Sequence, residues 1–132
     1  MKKNILLKTI FFLAASLAMC GCAAMQGIPQ GSVLTGDYEG SFNGKFFWGS
    51  IEVKVYDAPG GSRPVFGRLK QLAEEGFLDF RGEMNGSRLE AQFTIADGTV
   101  SGELSADGKS ITGTYRLTDP PFDQGTWNAQ KR

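Results

Sequence analysis

The 132-residue chain contains no histidine and only two cysteines, Cys20 and Cys22, both near its start. From Ala23 onward there is neither an imidazole nor a thiol. That stretch cannot build a disulfide, a zinc site of the usual nitrogen and sulfur kind, or a Cys–His or Ser–His nucleophile pair. An excess of either charge is missing too. Lys and Arg together number 14, as do Asp and Glu, and the signs are interspersed. No basic stripe marks a nucleic-acid contact, and no nucleic-acid partner is expected. The one long apolar run, residues 9–19, is too short for a bilayer-spanning helix, which needs about 20 such residues. What is plentiful is glycine, at 18 residues, alongside 11% aromatics. That mixture suits a tightly turning β protein and not disorder, which is poor in aromatics.

The position of the two cysteines raises the first functional question. Residues 1–8, MKKNILLK, form a basic segment, and TIFFLAASLAM follows as an uncharged apolar one. Small residues then surround Cys20-Gly21-Cys22-Ala23-Ala24, which completes the pattern of a secretory signal peptide. The stretch resembles the lipobox of bacterial lipoproteins, where a small residue precedes a cysteine that is acylated and becomes the new N-terminus. Gly21 precedes Cys22, whereas the bulky Met19 precedes Cys20, so the resemblance implies lipidation at Cys22 and loss of Cys20 with residues 1–21. Met19 departs from the commoner leucine. Ala23, in place of an aspartate, implies an outer-membrane location facing the periplasm, with acyl chains as the contact to the membrane. Each buried CH₂ contributes about 0.8 kcal/mol, and stable anchoring takes more than one chain. Removing Lys2, Lys3 and Lys8 leaves 11 cations against 14 acids, a net charge near −3. Residues 22–33, rich in small and polar residues with Gly and Pro, read as a lipidated cysteine and flexible tether. A domain is expected over 34–132.

Within that domain the apolar positions recur with period two. LTGDYEGSF sets Leu34, Gly36, Tyr38, Gly40 and Phe42 on one face, and SIEVKVY sets Ile51, Val53 and Val55 likewise. FLDFRGEM, RLEAQFTI, TVSGELS, SITGTYRL and GTWNAQ continue the pattern. Asn43-Gly44, Asn85-Gly86, Asp97-Gly98 and Asp107-Gly108 provide the positive φ that tight hairpins need. The expected strands are 35–43, 46–56, 64–72, 77–84, 88–95, 99–105, 110–118 and 125–130. Residues 67–76 also carry the spacing of a short helix, through Leu69, Leu72 and Ala73. Short joints make neighbours antiparallel, and closure of such a meander removes its exposed edges. The expectation is an all-β, antiparallel up-and-down meander, an eight-stranded small barrel, with a two-sheet sandwich as the alternative. Gly-x-apolar triplets recur on the inward parity, where glycine makes room for large neighbours such as Tyr38, Phe80 and Trp127. LTGDYEG, ITGTYRL and GTW are similar to strands of avidin-like and other up-and-down barrels, a resemblance that bears on architecture alone.

The inward face offers no acid, base or nucleophile apart from the phenols of Tyr38 and Tyr115, so no acid–base pair converges there. The chain is expected to be non-catalytic, without cofactor or metal. Asp119 and Asp123 read as a solvated loop, since calcium gathers six or more oxygens. Aromatics on the outward parity suggest a partner surface at Phe46, Trp48, Phe66, Phe77 and Phe122. A bulge at Gly49 would instead turn Phe46 and Trp48 inward. The leading expectation is a lipid-anchored envelope module that binds a protein or envelope component. The alternative is a carrier of a small apolar ligand, lined by Tyr38, Phe80, Phe93, Tyr115 and Trp127.

Overall fold

A computed structural model describes residues 28–72, 76–120 and 122–132. The eight strands are β1 (Val33–Gly44), β2 (Trp48–Asp57), β3 (Pro64–Gln71), β4 (Phe77–Asn85), β5 (Arg88–Phe93), β6 (Gly98–Leu104), β7 (Ser110–Leu117) and β8 (Asp123–Lys131). Each pairs antiparallel with the next, and β1 pairs with β8 from Tyr38↔Lys131 to Gly44↔Gly125, closing the sheet. The protein is an eight-stranded meander barrel. The sandwich is excluded because β1 and β8 are continuous with the same sheet. No helix occurs among the described residues. The expected strand-or-helix ambiguity at 67–76 resolves as strand up to Gln71, and residues 73–75 lie outside the described set.

Two kinds of glycine make so narrow a barrel possible. At Gly40, Gly82 and Gly125 a Cβ would strike the backbone of the adjoining strand, at the carbonyls of Asn128, Glu90 and Asn43. These positions let neighbouring strands approach and coil. At Gly67 a Cβ would strike the Phe80 ring, and at Gly102 it would come within 2.8 Å of the Trp127 ring. There the missing side chain provides the volume that the aromatic fills. Phe80 is edge-to-face with Phe93 at 6.3 Å and Phe42 with Tyr115 at 5.7 Å. Both centroid separations fall within the favourable range for offset aromatic pairs. Ile51, Val53, Val65, Leu89, Ile111 and Ala129 are fully buried around these rings.

The period-two reading fails at one inward position. Leu34 is exposed because the β1–β2 register shifts between Leu34 and Gly36. This bulge inserts Thr35, whose hydroxyl donates to the Val55 carbonyl at 3.3 Å, and upstream of it Val33 and Leu34 are both exposed. The bulge is there and not at Gly49, which stays in register opposite Phe42 and Gln71. A second difference concerns the first hairpin. Asn43 and Gly44 belong to β1, and the turn is made by Lys45 and Phe46, closed by the Gly44 N–H donating to the Phe47 carbonyl at 2.7 Å. Gly44 is glycine for lack of space: a Cβ would strike the Tyr115 hydroxyl and the Asp123 carboxylate.

An up-and-down barrel sorts its connections between two ends. The start of β1, the β2–β3, β4–β5 and β6–β7 connections and the finish of β8 lie at one end, called here the tether end. The β1–β2, β3–β4, β5–β6 and β7–β8 connections lie at the other, the crown. Part of the expected tether is ordered. The Ser32 N–H and hydroxyl both donate to the Pro29 carbonyl, at 3.1 and 2.7 Å, and a Cβ at Gly31 would meet Pro59 at 3.2 Å. Cys22 lies outside the described residues.

Candidate functional site at the crown

The crown is built around a buried carboxylate. Asp123 opens β8 with inward parity, continuous with Gly125, Trp127 and Ala129, and is 4% exposed. One oxygen, Oδ2, accepts from the Tyr115 hydroxyl at 2.5 Å, and the other, Oδ1, accepts from the Phe46 N–H at 2.9 Å. Hydrogen bonds of this kind, to a charged acceptor, offset the cost of taking a carboxylate out of water by about 1.5–3 kcal/mol each. Burial, and then the hydrogen bond and negative charge of Asp123, hold the Tyr115 phenol well above its ordinary ionisation range. The reading of Asp123 as part of a solvated loop is thus corrected: β8 starts two residues earlier than the alternation suggested and carries the carboxylate inward. Asp119 turns elsewhere, accepting from the Asp97 N–H at 3.0 Å, so the two acids do not converge. Among the described residues no cluster of Asp, Glu, Cys or His is disposed to hold a metal ion.

Asp123 also fixes the β1–β2 turn, because it grips Phe46 by the backbone. The Lys45 N–H donates to the Gln124 carbonyl at 3.0 Å, a second tie between that turn and β8. Phe47 consequently packs down against the core, while Phe46 and Trp48, on either side of it, are each 53% exposed. On the far side of the crown the Thr118 N–H donates to the Asp97 carbonyl at 2.9 Å. The Phe122 N–H donates to the Asp119 carbonyl at 2.7 Å. Phe122 has φ of 35° and is 56% exposed. Such a conformation costs a bulky residue about 1–3 kcal/mol, and the ring gains little burial in return.

Between these elements lies an open pocket of about 460 Å³, lined by Lys45 and Phe46 from the turn, Arg116 and Leu117 from β7 with Thr118 just after it, and Phe122, Asp123 and Gln124. The Lys45 ammonium lies 5.4 Å from the centre of the Phe46 ring. Arg63, Arg68, Arg88 and Arg132 each meet a carboxylate, whereas Arg81 and Arg116 meet none among the described residues. The pocket therefore has aromatic rings and two cations about its rim and an already engaged carboxylate in its floor.

The structure divides the five aromatics expected to share a surface. Phe46 and Phe122 line one pocket, and Trp48 stands beside Phe46 with the exposed Leu72, whose N–H donates to the Trp48 carbonyl at 3.3 Å. Phe77 is also at the crown but half-buried, with the Arg68 guanidinium 3.9 Å from its ring centre. Phe66 lies toward the other end, edge-to-face with Tyr56 at 5.9 Å. The five residues expected to line a ligand space, Tyr38, Phe80, Phe93, Tyr115 and Trp127, all point inward and are 1–6% exposed. Beneath the crown, between Phe42, Phe47, Leu78 and Tyr115, the free volume is about 20 Å³, the room of a single water. Sequence reasoning missed Asp123, Lys45, Arg116 and Leu72. For Asp123 the signal was available in its parity with Gly125 and Trp127.

No protein-family model matches the chain, and no curated protein matches it in sequence.

Proposed function

We propose that the protein is a lipid-anchored, non-catalytic module of the cell envelope that binds a partner through its crown. The observation that carries this reading is the opposition of the two ends. The chain enters the barrel at the tether end, downstream of the lipobox-like Cys22, while Phe46, Trp48, Leu72 and Phe122 are exposed at the far end. An acyl anchor on Cys22 would set the tether end toward the membrane and leave the crown facing the compartment, periplasmic in an outer-membrane setting. Exposed aromatics clustered on a small domain commonly mark a contact surface. The interior packing supports a surface role over a carrier role, since inward glycines give their volume to the rings of Phe80 and Trp127.

The test has two parts. Mass spectrometry of the protein extracted from its own membrane reads the N-terminus; an acylated Cys22 is expected, and an unmodified chain that retains residues 1–21 would refute the anchor. Trp48→Ser in the full-length protein is expected to change stability by no more than about 0.5 kcal/mol, as for an exposed position. The same substitution should weaken recovery of the envelope partner that co-purifies with the unaltered protein. Unchanged recovery would remove Trp48 from the contact surface.

A further inference from the structure

The pocket at the crown continues into a second hollow on the outer wall of the barrel. This hollow, about 390 Å³, runs over β6, β7 and β8 and is lined by the hydroxyl side chains of Thr99, Ser101, Thr114 and Thr126. Arg116 and Gln124 line both hollows, so the two adjoin. One part has exposed aromatic rings and two cations; the other is a row of hydroxyls, each able to donate and accept. Ser101 and Thr114 already share a hydrogen bond at 3.0 Å, which holds the centre of that row in place. Arg116 stands where the two chemistries meet and has no carboxylate of its own among the described residues.

We propose that this continuous surface binds an acidic saccharide, a sugar chain whose units carry carboxylates. The inference rests on the crown being the contact surface and names what it contacts. A pyranose ring has an apolar C–H face that suits the rings of Phe46 and Phe122, and an edge of hydroxyls that suits the Thr and Ser row. Its carboxylate suits a guanidinium, which can bind it through two parallel hydrogen bonds, with Lys45 as a second positive charge. The two hollows, about 460 and 390 Å³, together hold more than one sugar, so the fit is to an oligosaccharide with its acidic unit at Arg116. Asp123 is 4% exposed beneath the pocket and accepts from Tyr115 and Phe46, so the charges presented at the surface are those of Arg116 and Lys45. The strained, exposed Phe122 has a use in this arrangement: it holds a ring open to solvent beside the cations, where a sugar face can cover it.

The full acylated chain in lipid nanodiscs, titrated calorimetrically with trigalacturonate, its methyl ester and maltotriose, tests the proposal. Trigalacturonate is expected to bind, with the ester and maltotriose at least about tenfold weaker, the equivalent of losing one charge-assisted hydrogen bond. Arg116→Gln should weaken trigalacturonate binding about tenfold, and Arg116→Lys should restore part of it. Phe122→Gly relieves the positive φ and should leave the melting temperature unchanged or higher while weakening binding. Equal binding of the acid and its ester, or no effect of Arg116→Gln in a folded protein, overturns the proposal. No binding of trigalacturonate also overturns it. If Trp48→Ser still weakens partner recovery in that case, the crown remains the contact surface and only the saccharide falls; if it does not, both fall.

Discussion

The two ends of the barrel use the same device with different partners. At the tether end the inward Tyr38 hydroxyl donates to the Gly108 carbonyl at 2.8 Å, reaching across to the β6–β7 turn. At the crown the inward Tyr115 hydroxyl donates to the Asp123 carboxylate. The first bond is neutral and joins two parts of the chain that need each other only for closure. The second places a negative charge beneath an open pocket and uses its remaining oxygen to set the β1–β2 turn. Outside, the tether end carries the Arg132 guanidinium, bonded to Glu39 at 2.9 Å and Glu52 at 3.0 Å, and Arg63 on Asp57. These pairs are exposed and contribute little to stability. The crown shows exposed aromatics and Arg116, which meets no carboxylate among the described residues. The comparison teaches that one barrel end is closed by backbone hydrogen bonds and a tyrosine on a carbonyl, with no buried acid among the described residues. A buried acid at the other end indicates a turn that has to be held in one shape.

The sharpest way to break the comparison is Asp123→Ala. It removes the acceptor of the buried Tyr115 hydroxyl and the tie from β8 to the Phe46 N–H, and a loss of about 2–4 kcal/mol is expected in chemical denaturation. Loss below about 1 kcal/mol would mean that the carboxylate does not hold the crown together. Tyr38→Phe removes only a neutral bond, and about 1 kcal/mol is expected by the same measurement. A larger loss than for Asp123→Ala would invert the ranking of the two ends.

Alkaline titration offers a finer contrast. The ordinary tyrosine value is 10.0, and both inward phenols are raised above it by burial; at Tyr115 the Asp123 carboxylate raises it further, while at Tyr38 the Arg63 charge lowers it. In the unfolded chain these phenols ionise above about pH 10, while in the folded barrel they stay protonated. The folded state then binds more protons, so stability is complete below pH 10 and falls as pH rises toward the folded values. Denaturation midpoints measured from pH 9 to 11 should decline, and Tyr115→Phe should flatten that decline more than Tyr38→Phe does. No flattening in Tyr115→Phe would show that the Tyr115 phenol does not hold its proton in the folded barrel beyond the ordinary range.

Much of this molecule was legible in the sequence because its signals are local. The alternation in SIEVKVY and RLEAQF fixes which residues face inward, since successive side chains of a strand point to opposite sides. Asn85-Gly86 and Asp107-Gly108 mark hairpins because positive φ is a property of the residue that adopts it; Gly86 and Gly108 have φ of 63° and 74°. The same local reading went astray at Gly44, where glycine answers to Tyr115 and Asp123, about 70 residues or more along the chain. It also went astray at Leu34, where the β1–β2 register shifts by one residue and both Val33 and Leu34 are exposed.

The candidate site was less legible for the same reason. Phe46, Trp48 and Phe122 stood out as aromatics on the wrong parity or in a loop, but Lys45 and Arg116 looked like ordinary solvated charges. They are 71 positions apart in the sequence, and only the meeting of the β1–β2 turn with β7 and β8 makes them neighbours of one pocket.

By itself, then, the sequence determined the strands, their inward faces and most of their turns, because backbone conformation and side-chain alternation depend on residues a few positions apart. It also carries the lipobox-like pattern around Cys22. Only the tertiary structure decided that β1 meets β8, that Asp123 is buried, and that the exposed aromatics gather at the end opposite the start of β1. Those outcomes depend on which strand lies beside which and on how much room remains between them. No stretch of a few residues contains that information.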